Sequence, residues 1–395
     1  MRPCDLSRKV NNRIKKGCGS SIKNGNKKKT PNDRYEFDIF ANRGYCGEGF
    51  YCANYNYMDG KETLSYGKDV HWAYGGALVQ NEFPLSNRKG DTPTKCGICV
   101  VECTYFKLKD EYKNFDITLF NSHKITINHH TYFYFTTLDY EIFNDLYVSD
   151  ARTIKVVYYQ DIGPLPNELI EFAKENYKLK KQAPESEKPL YEMCFYGLLA
   201  KDLRKNLNKR IKEGAPNYKL NKLKLELGRG EALTGLSGYR VGDIKPDGTK
   251  ETRDSQEIRS PTCIIAAFQT AYLRYREWQL FKQYKDKIIY MNTDSIYTTE
   301  PIDTGEDLGL GYYANAYEKK LFLGIRRNAY ILLNEDGSFY KSTVGGVMDN
   351  YFSPQQINLL KNGIKIQART MRKNEYDEKV ETTCWLTPKY IKEEI

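Results

Sequence analysis

The tetrapeptide Asn292-Thr293-Asp294-Ser295 sits between two apolar, aromatic runs, Ile288 to Met291 and Ile296 to Tyr297. So flanked, it reads as the tip of a β-hairpin. The acidic group is then either an ordinary turn residue or half of a cation site with one carboxylate exchanged for an amide. Asp69 has the second suggestive setting: it stands at the end of one apolar-polar run and five residues before Tyr74. Two carboxylates on adjacent strands, distant in sequence, suit the pair of Mg²⁺ ions that nucleotidyl transfer needs, because Mg²⁺ takes carboxylate, carbonyl and water oxygens. A tyrosine just beyond a metal-holding aspartate can lie under the sugar of a bound nucleotide and leave no room for a 2′-hydroxyl. Taken singly, Asp69 is better explained as a surface aspartate and Tyr74 as a core residue; the combination is what points to chemistry.

These residues need elements to position them. "SPTCIIAAFQTAYLRYREWQLFKQY" (260–284) reads as a long amphipathic helix with Ile264, Ala267, Ala271, Trp278 and Phe281 on one face, and it feeds the hairpin. "DVHWAYGGALVQNEFP" (69–84) reads as a strand entering a loop or short helix, and "TYFYFTTLDYEIFNDLY" (131–147) as a strand followed by a helix. A helical stretch runs from Pro166 to Arg210, interrupted by "APESEKP" (183–189). Residues 211–258 are Gly-rich, charged and strand-like, hence an excursion. Strands and long helices come in blocks, which predicts an α+β fold rather than a regular β-α repeat.

Composition narrows the partner. The chain of 395 residues carries a net charge of +10 and 33 Tyr, which suits phosphates and stacked bases. Residues 1–34 hold 11 Lys/Arg against two Asp and few large apolar residues, so they read as a mobile arm, either a solubilising tail or a phosphate contact. Ten scattered Cys, mostly in apolar runs, suggest reduced thiols in an intracellular protein. Cys96, Cys99 and Cys103 give C-x2-C-x3-C with His123, His129 and His130 downstream, but a half-buried strand explains the run better than zinc does. With no long apolar run and no signal-peptide core, no membrane partner is expected.

Several stretches together resemble family B DNA polymerases, most closely the protein-primed branch of small phages, adenoviruses and linear plasmids. "IIYMNTDSIY" is similar to the Y-x-D-T-D-S hairpin of that family, and "DVHWAYGGALVQNEFP" to its D-x-x-S-L-Y-P strand with the later F-P. "YCGEG" (45–49) resembles the template-touching Y-x-G-G, and "TTLDYEIFNDLY" (136–147) the T-x2-D-x-E segment. "LGYYANAYEKKLFLGIRRNAYIL" (310–332) resembles the L-G-Y-W-A-x-E and K-x-Y region, and "YKSTVGGV" (340–347) a later Lys/Gly turn. The order is right from about residue 45 to 350. Four departures stand out. Asn292 replaces the first hairpin Asp, and Asn328 beside Arg327 replaces the K-x-Y lysine. "WAYG" replaces S-L-Y-P, and the fingers motif survives only as "KPLYEMCFYG" (188–197).

The resemblance implies a right-hand polymerase without its own exonuclease. Its parts would be a basic arm (1–34), a first palm part (35–165), fingers helices (166–210), a strand-displacement-like insertion (211–258), a second palm part (259–351) and a small thumb (352–395). Asp69 and Asp294, with Asn292, would hold two Mg²⁺ or Mn²⁺ ions. Tyr74 would exclude ribonucleotides. Lys188 or Lys201 would meet the triphosphate and Tyr196 the nascent pair. Tyr45, Gly47 and Gly49 would approach the template, and Arg327 and Tyr330 the primer. The partners implied are primer-template DNA, deoxynucleotides, a terminal priming protein and a separate exonuclease subunit. The location implied is host cytoplasm, with the mitochondrion as the alternative. A non-catalytic relative that binds DNA or a replication partner is the competing reading, favoured by Asn292 and the altered fingers.

Overall fold

The computed structural model describes residues 46–47, 49–85, 88–120, 125–127, 129–184, 263–349, 351–373 and 379–388. The arm, Tyr45, His123, the fingers candidates Lys188, Tyr196 and Lys201, and the 211–258 excursion lie outside the described residues.

The chain opens with β1 (Tyr51–Asn54), β2 (Thr63–Val70), α1 (Ala73–Gln80), β3 (Glu82–Pro84) and β4 (Lys89–Gly90). Next come β5 (Gly97–Cys103), β6 (Phe106–Leu108), β7 (Phe115–Thr118), β8 (Ile125–Ile127), β9 (His130–Thr136) and α2 (Thr137–Leu146). Then follow β10 (Tyr147–Ser149), β11 (Arg152–Tyr159), β12 (Ile162–Pro164), α3 (Asn167–Gln182) and the long α4 (Cys263–Tyr284). The last third holds β13 (Ile288–Asn292), β14 (Ser295–Thr298), β15 (Tyr313–Arg326), β16 (Ala329–Leu333) and β17 (Phe339–Val344). It closes with α5 (Pro354–Lys361), β18 (Ile366–Lys373) and β19 (Lys379–Leu386).

Among the described residues, eight strands form the main antiparallel sheet in the order β17-β16-β15-β2-β14-β13-β1-β7. A second sheet, β4-β11-β5-β9-β8, stacks its own core against α2 and α4. The strand β5 is buried along its whole length, not on one face only. Ile98 and Val100 enter one core while Cys99, Val101 and Cys103 enter another, because the sheet is covered on both sides. Burial pushes the thiols of Cys96, Cys99 and Cys103 up to about 11, the reverse of what a zinc thiolate needs. The zinc set therefore gives way to core packing, and His130 instead meets Glu102 at 2.9 Å.

The expectation of a one-faced helix at 260–284 is also corrected. Every residue from Ile264 to Ala271 in α4 is buried, since the helix runs between α1, α2 and both sheets. Burial on all sides leaves no polar stripe, and its buried polar residues are matched to partners. Gln269 Nε2 donates to the Tyr74 carbonyl at 2.8 Å. Arg274, 0% exposed, donates to Asp139 through Nε at 2.8 Å and Nη2 at 2.9 Å, and to the Cys46 carbonyl at 2.6 Å. This gives the T-x2-D-x-E segment a physical account. Thr136 caps α2 by accepting the Asp139 N–H at 3.1 Å, and the same Asp139 clamps α4. Glu141 accepts the Tyr275 hydroxyl at 3.0 Å.

A third core joins β15, β16 and β17 to α5 and the β18–β19 hairpin through Leu323, Ile331, Phe352, Leu360 and Leu386. α5 starts on a capping box between Ser353 and Gln356, with Pro354 in its first turn. Among the described residues, no helix is long and apolar enough to cross a membrane.

Candidate active site

The hairpin forms where the sequence places it: β13 and β14 pair antiparallel with Asn292 opposite Ser295, leaving Thr293 and Asp294 at the tip. Thr293 takes φ 62°, a left-handed conformation that a β-branched residue adopts only when its surroundings compel it. Two contacts do so. Its N–H donates to the Phe50 carbonyl at 3.0 Å, and Gly49 lies against it so closely that a Cβ there would fall 2.3 Å from Thr293 Oγ1. Gly49 thus makes room for the hairpin tip, which the sequence had assigned to a template strand. Gly47 is exposed nearby.

Asp69 ends β2, opposite Ser295, and the next residue, Val70, donates its N–H to the Asp294 carbonyl at 3.0 Å. The two aspartates therefore occupy neighbouring positions on adjacent strands. Asp69 Oδ1 accepts from Val70 N at 3.0 Å and Ser295 Oγ at 3.3 Å. Beyond β2 the chain turns through Trp72, again left-handed at φ 52°, whose ring stacks on Tyr177 at 6.1 Å. Two bulky residues in this conformation flank the two aspartates, as strain often does at functional sites. The turn launches α1, where Gly76 touches Gly311 so tightly that a Cβ would fall 2.1 Å from its Cα. Tyr74, on the first turn of α1, is half-buried and faces a cleft of about 280 Å³.

Asn292, Asp294 and Ser295 line that cleft with Lys341 and Thr343 of β17. Its floor is aromatic: Tyr290, Tyr297 and Tyr330 pack with Phe322, and the Tyr297 and Tyr330 hydroxyls share a 2.7 Å hydrogen bond. Tyr330 is only 4% exposed, so it shapes this floor rather than presenting an open ring. Arg327, on the β15–β16 turn, does not line the cleft; it lies over Tyr51 at 5.1 Å and pairs with Asp116 at 3.5 Å. The amide of Asn292 is engaged locally, its Oδ1 accepting from Thr293 Oγ1 at 3.1 Å and its Nδ2 donating to Tyr290 Oη at 3.4 Å.

The electrostatics of the lip are those of crowded acids. Burial, then Asp69 and Glu277, push Asp294 up to about 7, with Arg276 opposing. Asp69 is an exposed residue, yet the atoms packed around its carboxyl also raise it, against Ser295, Lys341 and His71. His71 itself meets Asp307 at 3.1 Å. Among the described residues, no three His, Cys, Asp or Glu side chains are close enough to hold one ion together. A divalent cation would rest on Asp69 and Asp294, completed by carbonyl, amide and water oxygens, a hard donor set that fits Mg²⁺ or Mn²⁺.

Sequence reading missed Arg276, Glu277 and Tyr313, and gave Lys341 no role. The available signals were an Arg-Glu pair amid the aromatic residues of a helix, and a lysine two residues before Thr343 on a strand, where side chains of like parity share a face.

No protein-family model and no curated protein matches the chain. Among solved structures, phi29 DNA polymerase complexed with primer-template DNA and incoming nucleotides is similar at a TM-score of 0.57 and 17% identity, over 96% of this chain and 67% of the polymerase. Its post-translocation binary complex with primer-template DNA gives 0.55 at 18% identity, over 96% and 67%. The single-stranded DNA complex gives 0.51 at 18%, over 87% and 59%. At such identity the likeness speaks for the fold: this α+β chain, with its curled antiparallel sheet, has the architecture of a right-hand DNA polymerase and spans about two thirds of that polymerase's length.

Proposed function

We propose that the chain is a template-directed DNA polymerase core that extends a primer 3′-hydroxyl with deoxynucleoside triphosphates. The observation that carries this reading is the placement of Asp69 and Asp294 on neighbouring positions of adjacent strands, at a cleft that Tyr74 also lines. Asp69 and Asp294 would hold the divalent cations, with Asn292 Oδ1 as a neutral neighbour. Bound there, such ions supply charge stabilisation at the attacking oxygen and at the leaving pyrophosphate. The remaining work falls to side chains. The Tyr74 ring lies where a sugar would sit and excludes a 2′-hydroxyl. Lys341 offers a positive charge to phosphate oxygens. The Tyr297–Tyr330 floor is held rigid by its buried hydrogen bond, so the hairpin does not shift under load.

The test is primer extension with Mg²⁺ and with Mn²⁺. Asp69→Ala and Asp294→Ala should each lower the rate about a thousandfold or more while primer-template binding persists. Near-wild-type extension by either variant would remove the assignment. One observation favours a second reading, a DNA-binding relative without catalysis: Asn292 brings an amide, already engaged by Thr293 and Tyr290, where the resemblance expects a carboxylate. A wild-type chain that binds primer-template but extends it with neither metal, before or after Asn292→Asp, would establish that second reading.

A further inference from the structure

Behind the cleft lip lies a carboxylate that the two-aspartate reading does not use. Glu277 projects from α4 with its side chain 1% exposed. Its Oε1 accepts the Tyr313 hydroxyl and stands 3.5 Å from Arg276 Nη2. Its Oε2 has no hydrogen-bond partner among the described residues. Tyr313 is opposite Val70, the residue that follows Asp69 and holds the Asp294 carbonyl. Glu277 therefore sits one layer beneath the aspartate pair. Its charge acts on Asp294, and the charge of Asp69 acts on it.

A structural ion pair with Arg276 is the plainer account, and the geometry weighs against it. The Arg276 Nη1 donates to the Gly311 carbonyl at 3.0 Å, its guanidinium lies over the Tyr313 ring at 5.1 Å, and its contact with Glu277 is single and long. A buried carboxylate with a bare oxygen is costly unless a cation faces it. Three acids (Asp69, Asp294, Glu277) here meet two basic side chains, Arg276 and Lys341, so negative charge is in excess. Without a bound cation, burial holds Glu277 near neutrality, at about 7.

We propose that Glu277 is a positioning residue of the cation site, supplying from the helix the third negative charge that Asn292 does not supply from the hairpin. This rests on Asp69 and Asp294 being the cation ligands. Glu277 is not itself a ligand, since no three acids converge on one point among the described residues; it acts through the field on Asp294.

The experiment is Mn²⁺ binding to the full chain, read by electron paramagnetic resonance of the free ion. The variants are Asn292→Asp, Glu277→Gln, which keeps an acceptor for Tyr313, and Glu277→Met, an apolar residue of similar length. Each Glu277 variant is also combined with Asn292→Asp. Neutralising Glu277 should weaken Mn²⁺ binding about tenfold or more, and adding Asn292→Asp should restore it to within about threefold of wild type. Thermal midpoints in EDTA should not fall for whichever neutral variant folds well. Binding within about twofold of wild type in that variant, or a deficit that Asn292→Asp leaves untouched, would overturn the proposal and leave Glu277 as a structural partner of Tyr313. If wild-type binding is already lost on Asp69→Ala but indifferent to Glu277, only the Glu277 proposal falls. If wild type binds no Mn²⁺, the two-aspartate reading falls and takes this proposal with it.

Discussion

Replacing Asp139 with Ala tests how far the fold itself sets the site. Arg274 is 0% exposed and receives charge compensation from Asp139 through bonds of 2.8 and 2.9 Å. Removing that carboxylate leaves a buried guanidinium short of its counter-charge, which typically costs about 3–5 kcal/mol. A domain's whole stability is about 5–15 kcal/mol, so the loss should be plain: a drop in Tm of about 10 °C, or a matching fall in the urea midpoint. The double variant Asp139→Leu with Arg274→Met removes both charges and should recover most of the stability, because no desolvated ion remains. It should not recover primer extension. Arg274 also holds the Cys46 carbonyl at 2.6 Å, and the loop that begins there ends at Gly49 against Thr293. The assay is urea unfolding followed by primer extension on the same preparations. A loss below about 1 kcal/mol for Asp139→Ala, or a double variant no more stable than the single one, would refute the reasoning.

Tyr74→Val should lower discrimination against ribonucleotides by about tenfold or more, measured as the ratio of deoxy- to ribonucleotide incorporation; an unchanged ratio in an active enzyme would contradict the sugar-excluding role. Gly49→Ala would set a Cβ 2.8 Å from the Thr293 Cα, so the tip must move; extension should fall about 100-fold while DNA affinity changes little, and Thr293→Gly in the same chain should relieve it. In EDTA, Asp294 should make stability fall as pH rises. Its carboxyl moves from 3.8 to about 7 on folding, so below 3.8 both states are protonated and nothing is lost. Between those values the unfolded chain ionises first, and above 7 the penalty is complete, about 4 kcal/mol. Asp294→Asn should flatten that part of the pH–stability curve; a wild-type curve already flat from pH 4 to 8 would count against the buried carboxylate.

What the sequence determined by itself was local. The apolar runs around Asn292-Thr293-Asp294-Ser295 specify a hairpin, because strand alternation and turn chemistry act over a few residues. The strand ending at Asp69, the short helix after it, and the Thr136 cap of α2 were legible for the same reason. Tertiary structure decided everything that depends on closing long loops. Asp139 and Arg274 are 135 residues apart, and nothing near either names the other. Only the packed fold shows that α4 is buried on every side, which is why its charged pair at Arg276 and Glu277 read as solvent-facing in the sequence. Gly49 illustrates the point most directly. A small residue was required there, but what fills the space is Thr293, brought from the far end of the chain when β1 pairs with β13. The acid-rich lip follows from the same closure: Asp69, Asp294 and Glu277 are ordinary residues until strand pairing and helix burial bring their charges close enough to repel.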